Sequence, residues 1–202
     1  MPQRFSLLSR RITELRTYLL PTKFSPVGSY SDRIHERTRA FRVLAHAEFE
    51  SFIEDRALQV VEEAFRVWKS GGAIRPSLLA LLAYKETPYS PPTSILAPPQ
   101  RRSPDLESRI NAEKNSYSWY VRNKNHGIKE KNILKILLPI GCLEHEIDTT
   151  WLSNLDSWAT ARGTTAHQTG KIQVRIDPYH EHKTVREIHA GFRDIDKLLQ
   201  TK

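Results

Sequence analysis

The 202-residue chain has a single cysteine and a single methionine. With only Cys142, an intramolecular disulfide and a cysteine-based zinc site are both excluded, which fits a reducing compartment. No apolar run approaches membrane-spanning length. The first residues, MPQRFSLLSRRITELR, carry charges where a signal peptide needs an apolar block. The expectation is a soluble cytoplasmic protein with no membrane partner. No internal repeat is visible. Basic residues outnumber acidic ones by 31 to 23, a net charge of +8. That balance suits a polyanionic partner. Because Lys and Arg are spread over the whole chain, it equally suits ordinary solubilising charge.

Helical periodicity dominates. Leu8, Ile12, Leu15 and Leu19 recur at helical spacing until Pro21. After a loop over 22–31, a long helical pattern runs from about Asp32 to Lys69, and Ser70-Gly71-Gly72 ends it. Pro76 and Ser77 open a short apolar helix. Residues 87–104 hold six of the twelve prolines and read as an extended connector. Ser103-Pro104-Asp105 gives a cap and a first-turn proline for a helix running to about Arg122. A further helix spans Ile128 to Leu138, ended by Pro139 and Gly141. Asp148 caps the helix that reaches Arg162, and Gly163 supplies a stop. Ile172, Val174 and Ile176 alternate like a short strand without an evident partner. Asp177-Pro178 reads as a turn, and Thr184-x-x-Glu187 as a capping box opening the last helix. The sum is one all-α domain, an embellished bundle of about six or seven helices.

The segment Arg162-Gly163-Thr164-Thr165-Ala166-His167 carries the most chemistry. Arginine offers a planar fork of donors to a phosphate. Histidine, with a reference pKa of about 6.5, moves a proton near neutral pH. Together they are the minimal parts for cutting RNA without a metal. Spacing alone does not select this pair, since Arg175–His180 has the same separation, and Arg39–His46 and Arg175–His182 are only slightly longer. Arg162 alone closes a helix with an apolar face, formed by Leu152, Leu155 and Ala159. Two readings stay open on these residues: a catalytic pair, or a helix end with a dipole-complementing Arg and a surface His.

Three ordered blocks narrow the choice: RTRAFRVLAHAEFESFIED (37–55), NKNHGIKEKNILKILLPIG (123–141) and LDSWATARGTTAH (155–167). With the tail DPYHEHKTVREIHAGFRDIDKLL, they resemble the HEPN ribonucleases, in the branch called RiboL-PSP-HEPN. These are helical domains with an Arg-x(4–6)-His motif late in the chain. The resemblance implies a metal-independent endoribonuclease of toxin or defence type that needs no cofactor. Arg162 and His167 match the catalytic pair, and Glu48 matches an acidic position that supports the site in several branches. Asn125 and His126 match a recurring Asn-His-Gly segment, which would border an RNA cleft with Arg122, Lys124 and Lys129 nearby. For those three basic residues a solvated turn is an equal reading. Many relatives follow the arginine with a polar residue where this chain has Gly163. Some carry a tyrosine two residues after the histidine; Thr169 stands there, so control by tyrosine modification is not expected.

The resemblance also implies a homodimer, in which two motifs face one cleft and supply both a base and an acid, and a regulatory or antitoxin partner. The alternative is a non-catalytic HEPN module that binds RNA, a nucleotide or a protein. A helical DNA-binding protein ranks last, because no helix clusters base-reading side chains. His180-Glu181-His182 and Glu144-His145-Glu146 lack the spacing that puts two metal ligands on one helix face, so no metal site is expected. His46 and Glu48 point to different faces of their helix; Glu48 is taken for the site, and His46 for packing or surface. Tyr117, Trp119, Tyr120, Trp151 and Trp158 have helical spacing and read as core before they read as base-stacking groups.

Overall fold

The structure, a computed structural model, describes residues 3–84, 106–167 and 175–202; the side chains of residues 3 and 163–167 are outside that description. The connector over 87–104, the cap at Ser103-Pro104, the alternating residues Ile172 and Val174, and Thr169 also lie outside the described residues. The fold is all-α, and the described residues form seven α-helices with no strand. They are α1 (Gln3–Leu19), α2 (Asp32–Gly71), α3 (Pro76–Tyr84), α4 (Leu106–Asn123), α5 (Glu130–Leu137), α6 (Thr149–His167) and α7 (Pro178–Leu199). No described helix is long and apolar enough to cross a membrane.

The 40-residue α2 organises the molecule. It contains neither glycine nor proline until Gly71, so nothing interrupts its roughly 60 Å length. Gly72 then takes a left-handed conformation (φ 72°), which glycine adopts without a Cβ penalty, and its N–H closes onto the Trp68 carbonyl. α7 runs parallel to α2: Arg42 meets Glu181, Phe49 and Phe52 meet Phe192, and Arg56 meets Asp196. α1 runs antiparallel, joining Arg11 to Glu48 and Phe5 to Phe52. α6 is antiparallel to α7, with the Trp151 indole N–H donating to the Ile188 carbonyl. One apolar core collects Phe41, Phe49, Ile53, Ile136, Leu155 and Phe192, all essentially sealed from water.

Several helix ends differ from the sequence expectation. α6 does not stop at Gly163; its backbone stays helical to His167. Glycine lowers helix propensity by only about 1 kcal/mol, so it permits a stop without imposing one. α7 begins six residues before Thr184. Asp177 is its N-cap, accepting from the His180 N–H at 2.8 Å, and Pro178 sits in the first turn. Asp-Pro thus opens a helix here, while Thr184 lies inside α7 with its hydroxyl on the His180 carbonyl. Pro139 does not end α5 outright; a 3-10 turn over Leu138–Ile140 carries the chain on to Gly141. Asp148 does cap α6, accepting from the N–H groups of Thr150 and Trp151.

Candidate active site around Arg162

Residues four apart on a helix stack into one slowly winding row. On α2 the polar members of such a row are Arg42, His46, Glu50 and Glu54. The row faces α6 and the loop between α4 and α5. Each member finds a different environment there, and that divides the row into a structural end and a site.

At the first end, the Arg42 guanidinium lies against the buried Glu181 of α7, with its Nε 3.0 Å from both carboxylate oxygens. The Trp158 indole N–H donates to the same carboxylate at 2.8 Å. Glu181 therefore belongs to the frame of the bundle, although its His-Glu-His setting reads as a solvated helix start in the sequence.

One turn on, the His46 ring stacks on Trp158, with centroids 5.9 Å apart. His46 is only 2 % exposed. Burial, then the charge of Arg162, lowers its pKa to about 4, so the imidazole is neutral at pH 7. Its Nδ1 has no hydrogen-bond partner, and Glu50 stands 3.6 Å away. Arg162 follows Trp158 by four residues on α6, on the same helix face. The Arg162 Nε is buried and likewise without a partner, and no ion pair among the described residues includes Arg162.

The α4–α5 loop closes the third side. Asn125, 4 % exposed, donates from Nδ2 to Glu54 at 2.8 Å and leaves its Oδ1 without a partner. Burial raises the Glu54 carboxyl above its usual range, which the Asn125 hydrogen bond partly opposes. The Gly127 N–H donates to Glu50. Gly127 has φ 95°, a left-handed conformation that a side chain would strain, and a Cβ there would stand 3.8 Å from the His46 ring and 3.9 Å from the Asn132 amide. Asn132 clamps the loop from α5, donating to the carbonyls of His126 and Gly127. The Glu130 N–H, at the start of α5, donates to Asp156 of α6 at 3.0 Å. Three buried polar atoms thus lack partners: Nδ1 of His46 on α2, Oδ1 of Asn125 in the loop and Nε of Arg162 on α6. Buried polar atoms are rarely left in this state.

The RiboL-PSP-HEPN family model matches residues 6–200. The chain belongs to this family. No curated protein and no solved structure matches it. The HEPN assignment points to a nuclease or an RNA-binding module, and so gives the Arg162 cluster a context.

Within this HEPN fold the candidate residues separate. Arg162 stands beside His46, and Asn125 joins the same row of α2 through Glu54. His126 is exposed at the rim of the same loop, as are Arg122, Lys124 and Lys129. His167 ends α6, roughly 7.5 Å of helical rise beyond Arg162; its side chain lies outside the described residues. Glu48 does not join them. It sits about 200° around α2 from His46, where it accepts from the Arg11 Nε at 2.8 Å on the α1 side. The acidic group nearest His46 is Glu50, and His46 itself, read as packing or surface, stands beside Arg162. The competing spacings also resolve: Arg39 is paired with Glu36, and Arg175 with Asp32. Among the aromatics, Tyr117, Trp151 and Trp158 are core, whereas Trp119 is 55 % exposed with the Lys124 ammonium over its ring. The signal that marks this site in sequence is the polar row at 42, 46, 50 and 54, lying beside the apolar row at 41, 45, 49 and 53.

Proposed function

We propose that this HEPN protein is a metal-independent endoribonuclease of toxin or defence type, with Arg162 and His167 as the catalytic pair at a dimeric active site. The observation that carries this reading is the state of Arg162. Its charge has no carboxylate partner among the described residues, its buried Nε–H has no acceptor, and part of the residue reaches solvent. Such a guanidinium suits a phosphate from outside the fold.

RNA carries its own nucleophile. The 2′-oxygen attacks the adjacent phosphorus and its proton passes to a base; the bond to the 5′-oxygen breaks and that oxygen takes a proton from an acid. The products are a 2′,3′-cyclic phosphate and a 5′-hydroxyl. Arg162 stabilises the charge that develops on the non-bridging oxygens. His167 serves one proton transfer, and its copy across a two-fold axis serves the other. Asn125 and His126 form the wall of the cleft, and Arg122, Lys124 and Lys129 attract the RNA backbone. Glu48, held by Arg11, stands apart from this site. A regulatory or antitoxin protein would act by covering the cleft.

The test is incubation of the purified protein with mixed RNA in EDTA, beside Arg162→Ala and His167→Ala. Cleavage leaving cyclic phosphate ends, lost in both variants, is the expected result. Wild-type subunits mixed with His167→Ala subunits should lose more activity than dilution explains. RNA binding without cleavage would make the chain a binding module instead. Full activity from a monomer would overturn the dimeric site.

A further inference from the structure

Every guanidinium that α2 buries or half-buries against α7 has a carboxylate: Arg42 has Glu181, and Arg56 has Asp196, with Nε to Oδ1 at 2.6 Å. Arg162 approaches the same helix from α6, one turn beyond the Trp158 on which His46 stacks, and its charge acts on that imidazole. Position 46 is thus the place on α2 where the Arg162 charge is felt. A carboxylate there, one turn from Glu50 and stacked against Trp158, would take the guanidinium as an internal partner.

We propose that His46 is a positioning residue for Arg162: an uncharged ring, seated on Trp158 and walled by Gly127, that holds the guanidinium in place while leaving its charge free for phosphate. The surroundings support this role. His46 is held from three sides, by Trp158 of α6, by Gly127 of the loop and by its own helix. Trp158 is itself fixed, because its indole N–H is tied to Glu181 and its edge packs on Phe49 at 6.0 Å. Arg162 leaves α6 one turn beyond that indole. The carboxylates nearby are committed to the loop: Glu50 accepts from the Gly127 N–H and Glu54 from Asn125. They are held at the loop and do not pair with Arg162. The loop's Asn-His-Gly segment thus serves the arginine indirectly, by occupying acids that would otherwise neutralise it.

The reaction in which this matters is the RNA cleavage proposed above, and the experiment separates the two ideas. His46 is replaced by Ala, Gln and Glu in the full chain. Gln and Glu match each other in size and differ in charge. Two quantities are read: kcat and KM for RNA cleavage in EDTA, and the Arg162 Nε–H resonance in a nitrogen-edited proton NMR spectrum, assigned by its loss in Arg162→Lys. Melting temperature identifies any variant that does not fold.

His46→Gln should keep kcat within about threefold and leave the Arg162 resonance near its wild-type position. His46→Ala and His46→Glu should each lower kcat by about tenfold or more, with KM less affected, since a misplaced or neutralised group acts on the transition state. In His46→Ala the Arg162 resonance should collapse to the position of a free arginine side chain. In His46→Glu it should move to that of an ion-paired one. Equal losses in all three folded variants would reduce His46 to a packing residue and overturn the proposal. An Arg162 resonance indifferent to all three would overturn it as well. If wild type cuts no RNA while the resonance responds as expected, the nuclease reading fails and the positioning role stands.

Discussion

Arg42 belongs to the polar row of α2, Arg162 reaches that row from α6 beside His46 one turn on, and the protein treats the two in opposite ways. Arg42 is clamped by a buried carboxylate from α7, which also accepts from Trp158. Arg162 has a neutral imidazole beside it and a buried Nε–H that donates to nothing. A charge inside a fold is tolerated only when it is paired, because desolvation costs several kcal/mol per ion. The Arg42 end obeys that rule and contributes to the frame. The Arg162 end leaves it unmet, and an anion from outside can meet it. The difference separates an arginine that holds the bundle together from one that can act on a ligand.

The comparison breaks most visibly at Glu181. Glu181→Ala removes the partner of Arg42 and the acceptor of Trp158 together, which should cost about 3–5 kcal/mol of stability. Chemical denaturation measures it; a loss below about 1 kcal/mol would mean the pair behaves as a surface contact. Arg162→Lys is the converse. It should leave the melting temperature nearly unchanged while cleavage in EDTA falls by about 10²–10³-fold, the usual cost of removing one donor that stabilises transition-state charge. Equal effects of the two substitutions on stability would erase the distinction between the two ends.

Acid sharpens the comparison. The folded chain holds His46 at about 4, against an ordinary value near 6.5. Above about pH 6.5 the imidazole is neutral in both folded and unfolded chains, and its contribution is fully present. As pH falls from there toward 4, the unfolded chain takes up a proton that the folded chain refuses, so stability declines, by roughly 2–3 kcal/mol from this group. His182 and His189 are lowered mainly by burial and act in the same direction. Glu54, raised by burial, returns some stability in acid. Glu50 and Arg162 are the charged groups facing His46, and Arg162 opposes its protonation. His46→Gln should therefore flatten the stability profile between pH 6.5 and 4. An unchanged slope would show that His46 is not held neutral. The smallest effect belongs to Glu48→Ala, which breaks a half-exposed pair with Arg11. It should leave the melting temperature nearly unchanged and RNA cleavage at the wild-type rate. A large loss of cleavage would return Glu48 to the site.

The helices were legible because periodicity and breakers speak locally. The α2 pattern from Asp32 to the Gly71-Gly72 stop needs no tertiary information, and neither does the Asp148 cap. The start of α7 was misread because Asp-Pro serves both a turn and a helix entry, and a Thr-x-x-Glu spacing also occurs inside helices. At the candidate site, Arg162 and Asn125 were singled out through the family resemblance. His46 was not, since an isolated histidine between Ala45 and Ala47 reads as filler until α6 brings Arg162 against it. Glu48 was chosen over His46 because it matches an acidic position of the resembled family, and only the packing of α1 shows that Arg11 takes it.

By itself, the sequence determined that this chain is a helical HEPN bundle, that α2 is long and unbroken, and that an arginine stands late in α6. These follow from local propensity and from residue order, which survive without knowledge of neighbours. The tertiary structure decided which face of α2 meets α6 and which meets α1. That choice gives Arg42 a carboxylate and Arg162 none. It depends on how α6 and α7 pack together around Trp151 and Phe192, where Gly191 leaves no room for a side chain beside the Trp151 indole. Charge compensation is a property of contacts between elements distant in sequence, so only the folded chain could assign it.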